Sequence, residues 1–443
     1  MEKFAHSVTL DSELCKGCTT CVKRCPMEAI RVRDKKAKII KERCIDCGEC
    51  IRVCPNHAKK AVVDTFDVLK NYDYTVALPA PTLYGQFKHL TDRNVLLTAL
   101  KRIGFDDVFE VSVAAEAVSE ATRRDMAEKK LPMPVISTAC PAVLRIIRVR
   151  FPSLLPHLLK YHPPMEVAAR WAKRLAVKKT GLPPERIGCI FISPCPAKAT
   201  SMKVPLGTKE SAVDAIISIS EVYPKLLNAI KTVKEPENLA RSGTVGVGWA
   251  VSGGECTGSK EPNYLAADGM ENVIHILEAL EDEKLTRVEF IELNACIGGC
   301  VGGVLTVENP FIARARLNRL MSAMTPVMPP EDIPIEELRW DDTVEYDPVL
   351  QLDSDVATAM DKLNRIKELE ESFNGMDCGA CGAPSCRALA EDIVGGWATE
   401  EQCIFLMREK LQKLLSSKSG EDSAENKQDN TENNEDNPEN NNS

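Results

Sequence analysis

The chain has 443 residues, of which 44% are hydrophobic and 27% charged, and its formal net charge is −9. This length exceeds what one hydrophobic core usually serves, so two or three domains are expected. The acidic balance excludes a broad basic surface for nucleic acid. No secretory signal opens the chain and no uncharged apolar run approaches the roughly 18 residues of a membrane span. We therefore expect a cytoplasmic protein without a membrane span.

The chain contains 18 cysteines. A reducing cytosol keeps thiols free, so cysteines at this density indicate metal ligands rather than disulfides. We expect that the protein works in an anaerobic setting. Sixteen of the cysteines fall into four groups of four, and each group predicts one metal centre.

The first domain, residues 1–70, contains two copies of the run CxxCxxCxxxCP. These runs resemble those of bacterial two-cluster ferredoxins, in which the fourth cysteine of each run serves the other 4Fe4S cluster. The expected ligand sets are Cys15, Cys18, Cys21 and Cys54 for one cluster, and Cys25, Cys44, Cys47 and Cys50 for the other. Structural zinc is the alternative, although zinc sites favour two CxxC pairs separated by a longer loop. An α+β ferredoxin domain that transfers electrons is predicted.

The second domain, residues 71–350, alternates between strand and helix patterns. The β-rich runs are residues 74–78, 135–138, 187–193, 244–248 and 288–293, and the longer helical stretches are residues 90–104, 162–179 and 263–282. This alternation predicts an α/β domain with parallel sheets. Ligands in such domains bind at the carboxyl ends of the strands.

Four cysteines follow these predicted strands. Cys140 follows the run at 135–138, Cys195 follows the run at 187–193, and Cys296 and Cys300 follow the run at 288–293. Four thiolates that converge from three loops could hold one 4Fe4S cluster. The spacing alone supports no more than that.

The segments around these cysteines read STACP (137–141), SPCPAK (193–198) and ELNACIGGCVGG (292–303). They resemble, in order and separation, the three motifs of the FeFe-hydrogenase catalytic domain. The resemblance implies an H-cluster, in which Cys140, Cys195, Cys296 and Cys300 ligate a cubane. It also implies that Cys300 bridges to a two-iron subcluster carrying CO, cyanide and azadithiolate, which hydrogenase maturases encoded elsewhere supply.

The same resemblance assigns roles to three other positions. Lys198 matches the lysine that hydrogen-bonds one cyanide, and Ala80 and Pro81 in PAPT match the segment beside the other cyanide. A cyanide on iron is an anionic acceptor, so an ammonium group gains a charge-assisted hydrogen bond there. The implied substrates are H2 and protons, and the implied redox partner is a ferredoxin or a signalling protein.

Several positions depart from the family pattern. Ala139 stands where other members have a cysteine that relays protons, and Cys256 stands where a methionine is expected. Loss of an acid–base relay lowers rates by about 10² to 10⁴, so slow turnover is predicted. Intact cluster ligands combined with an altered proton relay resemble the sensory branch of the family. Cys256 is either a substitute relay thiol or a small buried structural cysteine, the commoner fate of free cysteine. Cys189, inside an apolar run, is predicted to lie in the core.

The C-terminal part is predicted to comprise a linker and helix (351–371), a small 4Fe4S domain (372–416) and a disordered acidic tail (417–443). The expected ligands are Cys378, Cys381, Cys386 and Cys403, the last within a long helix; zinc is again the alternative. The tail contains eight acidic residues against two lysines, a composition typical of disorder.

These features predict a slow FeFe-hydrogenase that catalyses reversible H2 oxidation and proton reduction, and that serves hydrogen sensing or redox signalling. Two other functional classes remain. The chain could be an iron–sulfur scaffold or assembly factor without the two-iron subcluster, or an electron-transfer protein with a fourth plain cubane.

Overall fold

The computed structural model describes residues 6–324 and 335–428, with side chains described to residue 416. The strands are β1 (Val8–Leu10), β2 (Ile30–Arg33), β3 (Lys36–Ile39), β4 (Lys59–Ala61), β5 (Tyr74–Pro79), β6 (Asp107–Val108), β7 (Val135–Ile136), β8 (Ile187–Ser193), β9 (Ala215–Ser218), β10 (Tyr264–Asp268) and β11 (Phe290–Asn294). The helices are α1 (Thr20–Lys23), α2 (Glu49–Arg52), α3 (Arg93–Arg102), α4 (Val111–Ala127), α5 (Pro141–Arg150), α6 (Pro164–Thr180), α7 (Pro196–Lys203), α8 (Ile219–Thr232), α9 (Thr244–Gly248), α10 (Gly254–Ser259), α11 (Met270–Glu281), α12 (Pro310–Ser322), α13 (Val356–Ser372), α14 (Cys386–Val394) and α15 (Ile404–Gln428).

The N-terminal domain consists of two antiparallel strand pairs and two short helices. β1 pairs with β4, and β2 pairs with β3. Each short helix lies within one cysteine run and contains its third cysteine, and residues of both runs pack together with Val22 and Ile30 in one small core. This is the α+β arrangement that the repeated runs predict.

The central domain contains two parallel sheets. One has the order β6-β5-β8-β9 and the other the order β10-β11-β7, and every pairing within them is parallel. The predicted α/β class with parallel sheets is confirmed. The loops that leave the carboxyl ends of β7, β8 and β11 are therefore the expected location of a site.

The four-stranded sheet is covered on both faces, which explains why β8 is apolar throughout. Successive side chains of a strand point to opposite faces. Thus Cys189 and Phe191 join the core cluster that includes α4 and α6, whereas Ile190 and Ile192 join the cluster that includes α3 and α8. Cys189 is fully buried, as expected for a core cysteine.

The segment 244–248 was predicted as a strand, and this prediction is wrong because it forms α9. Its alternating glycines and valines imitate a strand pattern. The buried Glu116 carboxylate accepts hydrogen bonds from Gly243 N at 2.7 Å and Gly246 N at 3.2 Å. These bonds satisfy amide groups at the start of the helix, a long-range interaction that the local sequence does not reveal.

The segment 263–282 was predicted as one helix, and it is instead strand β10 followed by α11. Gly269, treated as a tolerated helix glycine, lies between the two elements with φ +83°. That conformation favours glycine and ends the strand. β10 pairs in parallel register with β11 and forms an edge of the second sheet.

The C-terminal residues form a small helical module with its own core. Ile366 and Leu369 of α13 pack with Leu389 and Cys403, so the predicted linker helix is part of this core. Cys403 immediately precedes α15 instead of lying within it. The backbone of α15 continues to Gln428, into the segment predicted as a disordered tail, whereas residues 429–443 and part of the proline-bearing connector lie outside the described residues.

Candidate metal centres

The four scattered cysteines lie in loops that leave the carboxyl ends of strands from both parallel sheets, close enough for their thiol groups to repel one another when ionised. Cys195 follows β8 of one sheet, whereas Cys140 follows β7 and Cys296 and Cys300 follow β11 of the other. Cys140 directly precedes α5 and Cys195 directly precedes α7. The structure thus brings together all four cysteines of this predicted set, which are hereafter called the central quartet.

Burial and mutual repulsion act on the thiols of the central quartet. Burial raises the pKa of Cys195 to about 11, and burial also raises the pKa values of Cys296 and Cys300. Thiolates gathered at one point therefore need compensating positive charge. The iron ions of an iron–sulfur cluster provide that charge, because the cysteine thiolates bind directly to them.

Lys198, in the first turn of α7, lies beside the central quartet. Its Nζ lies 3.8 Å from Cys300 Sγ, the single hydrogen bond that the ammonium group makes within the described part of the chain. Burial alone would lower the pKa of Lys198, but the thiolate charges of Cys300 and Cys195 outweigh burial and raise it. A lysine in such surroundings fits an anionic group bound in the adjoining cavity.

A cavity adjoins Cys300 and contains about 620 Å³ of space not filled by atoms, including its mouth. It brings together five residues that the sequence assigned to cofactor binding or catalysis: Ala80, Pro81, Ala139, Lys198 and Cys300. The remaining lining is mostly apolar and includes Val111, Ala115, Pro163, Pro164, Met165, Phe191, Pro194 and Trp249. A mostly apolar pocket with a few convergent polar groups is the usual form of a ligand site.

Two acidic residues that the sequence analysis missed, Glu255 and Glu292, also line this cavity. Burial, followed by the charge of Glu292, raises the pKa of Glu255 to about 8. Ser137 Oγ donates a hydrogen bond to Glu255 Oε2 at 2.5 Å. The sequence did offer one clue to Glu292: it is the first residue of the motif at 292–303 and lies two residues before the end of β11.

Cys256, considered as a substitute relay thiol, is directed elsewhere. It is fully buried, and its Sγ contacts the Leu265 carbonyl oxygen at 3.8 Å. It does not belong to the cavity lining within the described residues. Burial raises its pKa well above the ordinary value. The geometry favours a structural cysteine, whereas the neighbouring Glu255 lines the cavity.

The glycines of the motif at 292–303 serve close packing within the chain. A Cβ on Gly303 would lie 2.2 Å from Pro194 O, and a Cβ on Gly299, whose φ is +88°, would lie 2.5 Å from Ser252 N. A larger residue at position 303 would push apart the loops that carry Cys195 and Cys300, and one at position 299 would push the Cys300 loop away from Val251 and Ser252. Gly303 therefore allows the close approach of two loops that carry the central quartet.

The raised pKa of Glu255 predicts a pH-dependent stability. A carboxyl group whose pKa rises from 4.5 to about 8 on folding lowers the free energy of unfolding as pH rises through that interval, by up to about 1.4 kcal/mol per pH unit. We expect Glu255→Gln to remove this contribution, so that the Tm of the cluster-free protein falls less between pH 5 and pH 8. The matched control is Cys256→Ala; equal pH dependence in Glu255→Gln and wild type would contradict the assignment.

The two ferredoxin quartets are also brought together as predicted. One cavity is lined by Cys15, Cys18, Cys21 and Cys54, and another by Cys25, Cys44, Cys47 and Cys50. Lys59 lines the first, and its buried Nζ has no hydrogen-bond partner among the described residues. A buried ammonium group without a partner is costly, and an anionic 4Fe4S–thiolate cluster in this cavity would compensate it.

The fourth quartet converges in the C-terminal module. Cys378, Cys381, Cys386 and Cys403 line one cavity together with Leu389 and Ile404. Burial raises the pKa values of Cys381 and Cys386. Asp377 Oδ1 accepts a hydrogen bond from Cys386 N at 2.6 Å and so orders the loop between these cysteines.

Family comparisons agree with this arrangement. The model of the iron-only hydrogenase large subunit, C-terminal domain, matches residues 73–257 and 231–304, which together span more than half of the chain. The chain belongs to the iron-only hydrogenase family. A 4Fe-4S dicluster domain matches residues 7–55, and an Fe-S cluster model matches residues 374–405. The protein is therefore an iron–sulfur protein of the hydrogenase family.

Curated relatives include hydrogenases and assembly factors. Iron hydrogenase 1 of Clostridium pasteurianum is 27% identical over 146 residues, which cover 32% of this chain and 25% of that protein. The periplasmic [Fe] hydrogenase large subunit of Nitratidesulfovibrio vulgaris is 27% identical over 361 residues, covering 67% of this chain and 86% of that protein. The cytosolic Fe-S cluster assembly factor nar1 of Aspergillus flavus is 30% identical over 110 residues, covering 25% of this chain and 18% of that protein.

Among solved structures, the [FeFe]-hydrogenase HydA1 of Chlamydomonas reinhardtii aligns with a TM-score of 0.48 at 15% identity. The alignment covers 62% of this chain and 95% of that one. Within the described residues, none of the helices combines the length and the apolar character required to cross a membrane.

Proposed function

We propose that the protein is an FeFe-hydrogenase that interconverts H2 with protons and electrons slowly, and that it serves hydrogen sensing or redox signalling in the cytoplasm of an anaerobe. The observation that carries this proposal is the cavity beside Cys300, where Lys198, Ala80, Pro81 and Ala139 meet. The central quartet would ligate a cubane, and Cys300 would also hold the two-iron subcluster. When bound, that subcluster supplies the redox chemistry on hydrogen.

The residues around the cavity have separate tasks. Lys198 donates a charge-assisted hydrogen bond to an anionic ligand and holds it in position. Apolar residues such as Phe191 and Met165 exclude water and admit a small apolar gas. Glu255, with a pKa of about 8, exchanges a proton near neutral pH, as a general acid and base must.

Slow turnover follows from Ala139, which lines the cavity but has no exchangeable proton. We expect Ala139→Cys to raise hydrogen evolution by about 10²-fold, because a relay thiol usually contributes at least that much. The matched control is Ala139→Ser, whose hydroxyl is similar in size but less acidic. Equal rates in Ala139→Cys, Ala139→Ser and wild type would show that the first proton transfer does not limit turnover.

The deciding experiment is infrared spectroscopy of the reconstituted protein. The full chain is loaded with iron and sulfide, a synthetic two-iron azadithiolate complex is added, and spectra are recorded under argon and under hydrogen. The proposal predicts carbonyl and cyanide bands that shift under hydrogen, together with slow hydrogen evolution. A protein with full cubane occupancy that lacks these bands would contradict it.

A second candidate function is iron–sulfur cluster assembly or plain electron transfer without the two-iron subcluster. The similarity to the nar1 assembly factor favours it, because a protein named for cluster assembly shares sequence with this member of the hydrogenase family. The same infrared experiment separates the two candidates. Absence of carbonyl and cyanide bands, with transfer of a cubane to an apo-ferredoxin, would favour assembly.

A further inference from the structure

The C-terminal module, defined as residues 356–416, packs against strand β2 of the ferredoxin domain through a buried charge cluster. Asp392 Oδ2 accepts hydrogen bonds from Arg31 Nε and Arg33 Nη2, both at 2.7 Å. Asp392 is only 3% exposed. A carboxylate held by two arginines in a buried contact fixes one geometry, because loss of either partner leaves an uncompensated buried charge.

The loop between the cysteines of this module touches β2 directly. Val32 N donates a hydrogen bond to Gly382 O at 2.8 Å, and Arg33 Nη1 donates one to Cys381 O at 2.9 Å. A Cβ on Gly382 would lie 2.0 Å from Val32 O. The two backbones are therefore as close as glycine permits.

Val32 also lines the cavity formed by Cys15, Cys18, Cys21 and Cys54, which is hereafter called the outer ferredoxin site. Its side chain packs in the small core that contains Cys15 and Cys21. One residue thus separates the outer ferredoxin site from the loop that carries Cys381. The hydrogen bond from Val32 N to Gly382 O joins the two sites.

The other ferredoxin quartet, the inner ferredoxin site, touches the central domain instead. A Cβ on Gly48 would lie 2.7 Å from Val304 and 3.5 Å from Pro196, the residue after Cys195. Arg52 Nη2 donates a hydrogen bond to Gly302 O, beside Cys300. Cys25, Cys44 and Cys47 pack against the same hydrophobic cluster as Cys140 and Cys195.

We propose that the C-terminal module extends the electron path of the ferredoxin domain by one site, which exchanges electrons with the outer ferredoxin site across the Val32–Gly382 contact, and that Asp392 is the positioning residue for this step. With cubanes held by Cys15, Cys18, Cys21 and Cys54 and by Cys378, Cys381, Cys386 and Cys403, this step would move one electron and no proton: the donor cubane would be oxidised from the 1+ to the 2+ state and the acceptor reduced from 2+ to 1+. A one-electron redox protein accepts the electron at the exposed Cys378 end. The proposal rests on the four cubanes of the proposed function and not on the two-iron subcluster.

Electron paramagnetic resonance of the fully reduced, four-cubane chain tests this step, since neighbouring 1+ cubanes are paramagnetic and broaden each other's signals. Two ligand variants at exposed thiols, Cys378→Ala and Cys18→Ala, each remove one cubane, verified by iron content. The signal of the C-terminal cubane is the difference between the wild-type and Cys378→Ala spectra. In the Cys18→Ala background the same signal is the difference between Cys18→Ala and the double variant Cys18→Ala/Cys378→Ala. We expect the C-terminal signal to be broad in wild type and to become narrower in Cys18→Ala, because the cubane of the outer ferredoxin site is gone.

Asp392→Asn retains all four cubanes, and it is expected to produce the same narrowing because the two arginines lose their partner. Its control is Glu401→Gln, an exposed carboxylate of the same module. A C-terminal signal of equal width in wild type and Cys18→Ala would overturn the proposed step, whether or not Asp392→Asn folds. Unchanged iron content in Cys378→Ala would overturn the assignment of a cubane to the module. Neither result bears on the infrared bands that test the hydrogenase proposal.

Discussion

The Cys300→Ala variant is expected to lose the carbonyl and cyanide bands and all hydrogen turnover. Within the described residues, Cys300 is the cysteine of the central quartet that also lines the cavity, so under the proposed function its thiolate would join the cubane to the two-iron subcluster. Four cubanes would contain about 16 iron atoms, and loss of the central one would leave about 12. Iron analysis and infrared spectroscopy after addition of the synthetic two-iron complex measure both effects.

Two other cysteines of the same chain provide matched controls for Cys300→Ala. Cys189 and Cys256 are fully buried and belong to none of the four quartets. We expect Cys189→Ala and Cys256→Ala to retain the iron content and the infrared bands of wild type. Retention of the bands in Cys300→Ala, or their loss in Cys256→Ala, would contradict the assignment of the ligands.

Glu255→Gln is expected to lower hydrogen turnover by about 10² to 10⁴ while leaving the infrared bands in place. Glutamine has nearly the shape of glutamate, but its amide neither gains nor loses a proton near neutral pH. The variant therefore removes the acid–base group and preserves the cavity. Burial and the nearby Glu292 raise the pKa of Glu255 to about 8, which suits proton exchange at neutral pH. The wild-type rate should also depend on pH near that value.

The readout for Glu255→Gln separates proton transfer from cofactor binding. Unchanged band positions with a reduced rate would place the defect in proton delivery, whereas absent bands would indicate a defect in loading. Cys256→Ala, next to Glu255 but directed at Leu265 O, controls for disturbance of α10. Wild-type turnover in Glu255→Gln would exclude this residue from the proton route.

Local patterns were enough to predict much of the fold. The apolar run of β8 follows directly from burial on both faces of the sheet. Cysteine spacing was enough to propose three of the quartets, and the position of cysteines after predicted strands, together with the motif resemblance, gave the central one. The prediction of a strand at 244–248 was wrong because the amide groups of that segment bind Glu116, more than 120 residues away in the chain. The division of residues 263–282 depended on pairing with β11, which no local pattern encodes.

Part of the candidate site was likewise predictable from the sequence, and part was revealed only by the structure. The resemblance to the hydrogenase motifs singled out Lys198, Ala80, Pro81 and Ala139, and the structure places all four around one cavity. The motif could not distinguish Glu255 from Cys256, because adjacent helix residues point in different directions and packing decides which one faces the cavity. The tertiary structure turned Cys256 towards a backbone carbonyl and Glu255 towards the cavity.

The sequence by itself predicted four cysteine quartets, the parallel α/β class and the family, from the cysteine runs, from the alternation of strand and helix patterns and from three motifs in a fixed order. Only the tertiary structure decided which quartets are neighbours, which acidic groups reach the cavity and how the C-terminal module docks. These features depend on contacts between segments hundreds of residues apart, such as the one between Arg31 and Asp392. Such contacts form only when separate hydrophobic cores pack and bury the charges between them.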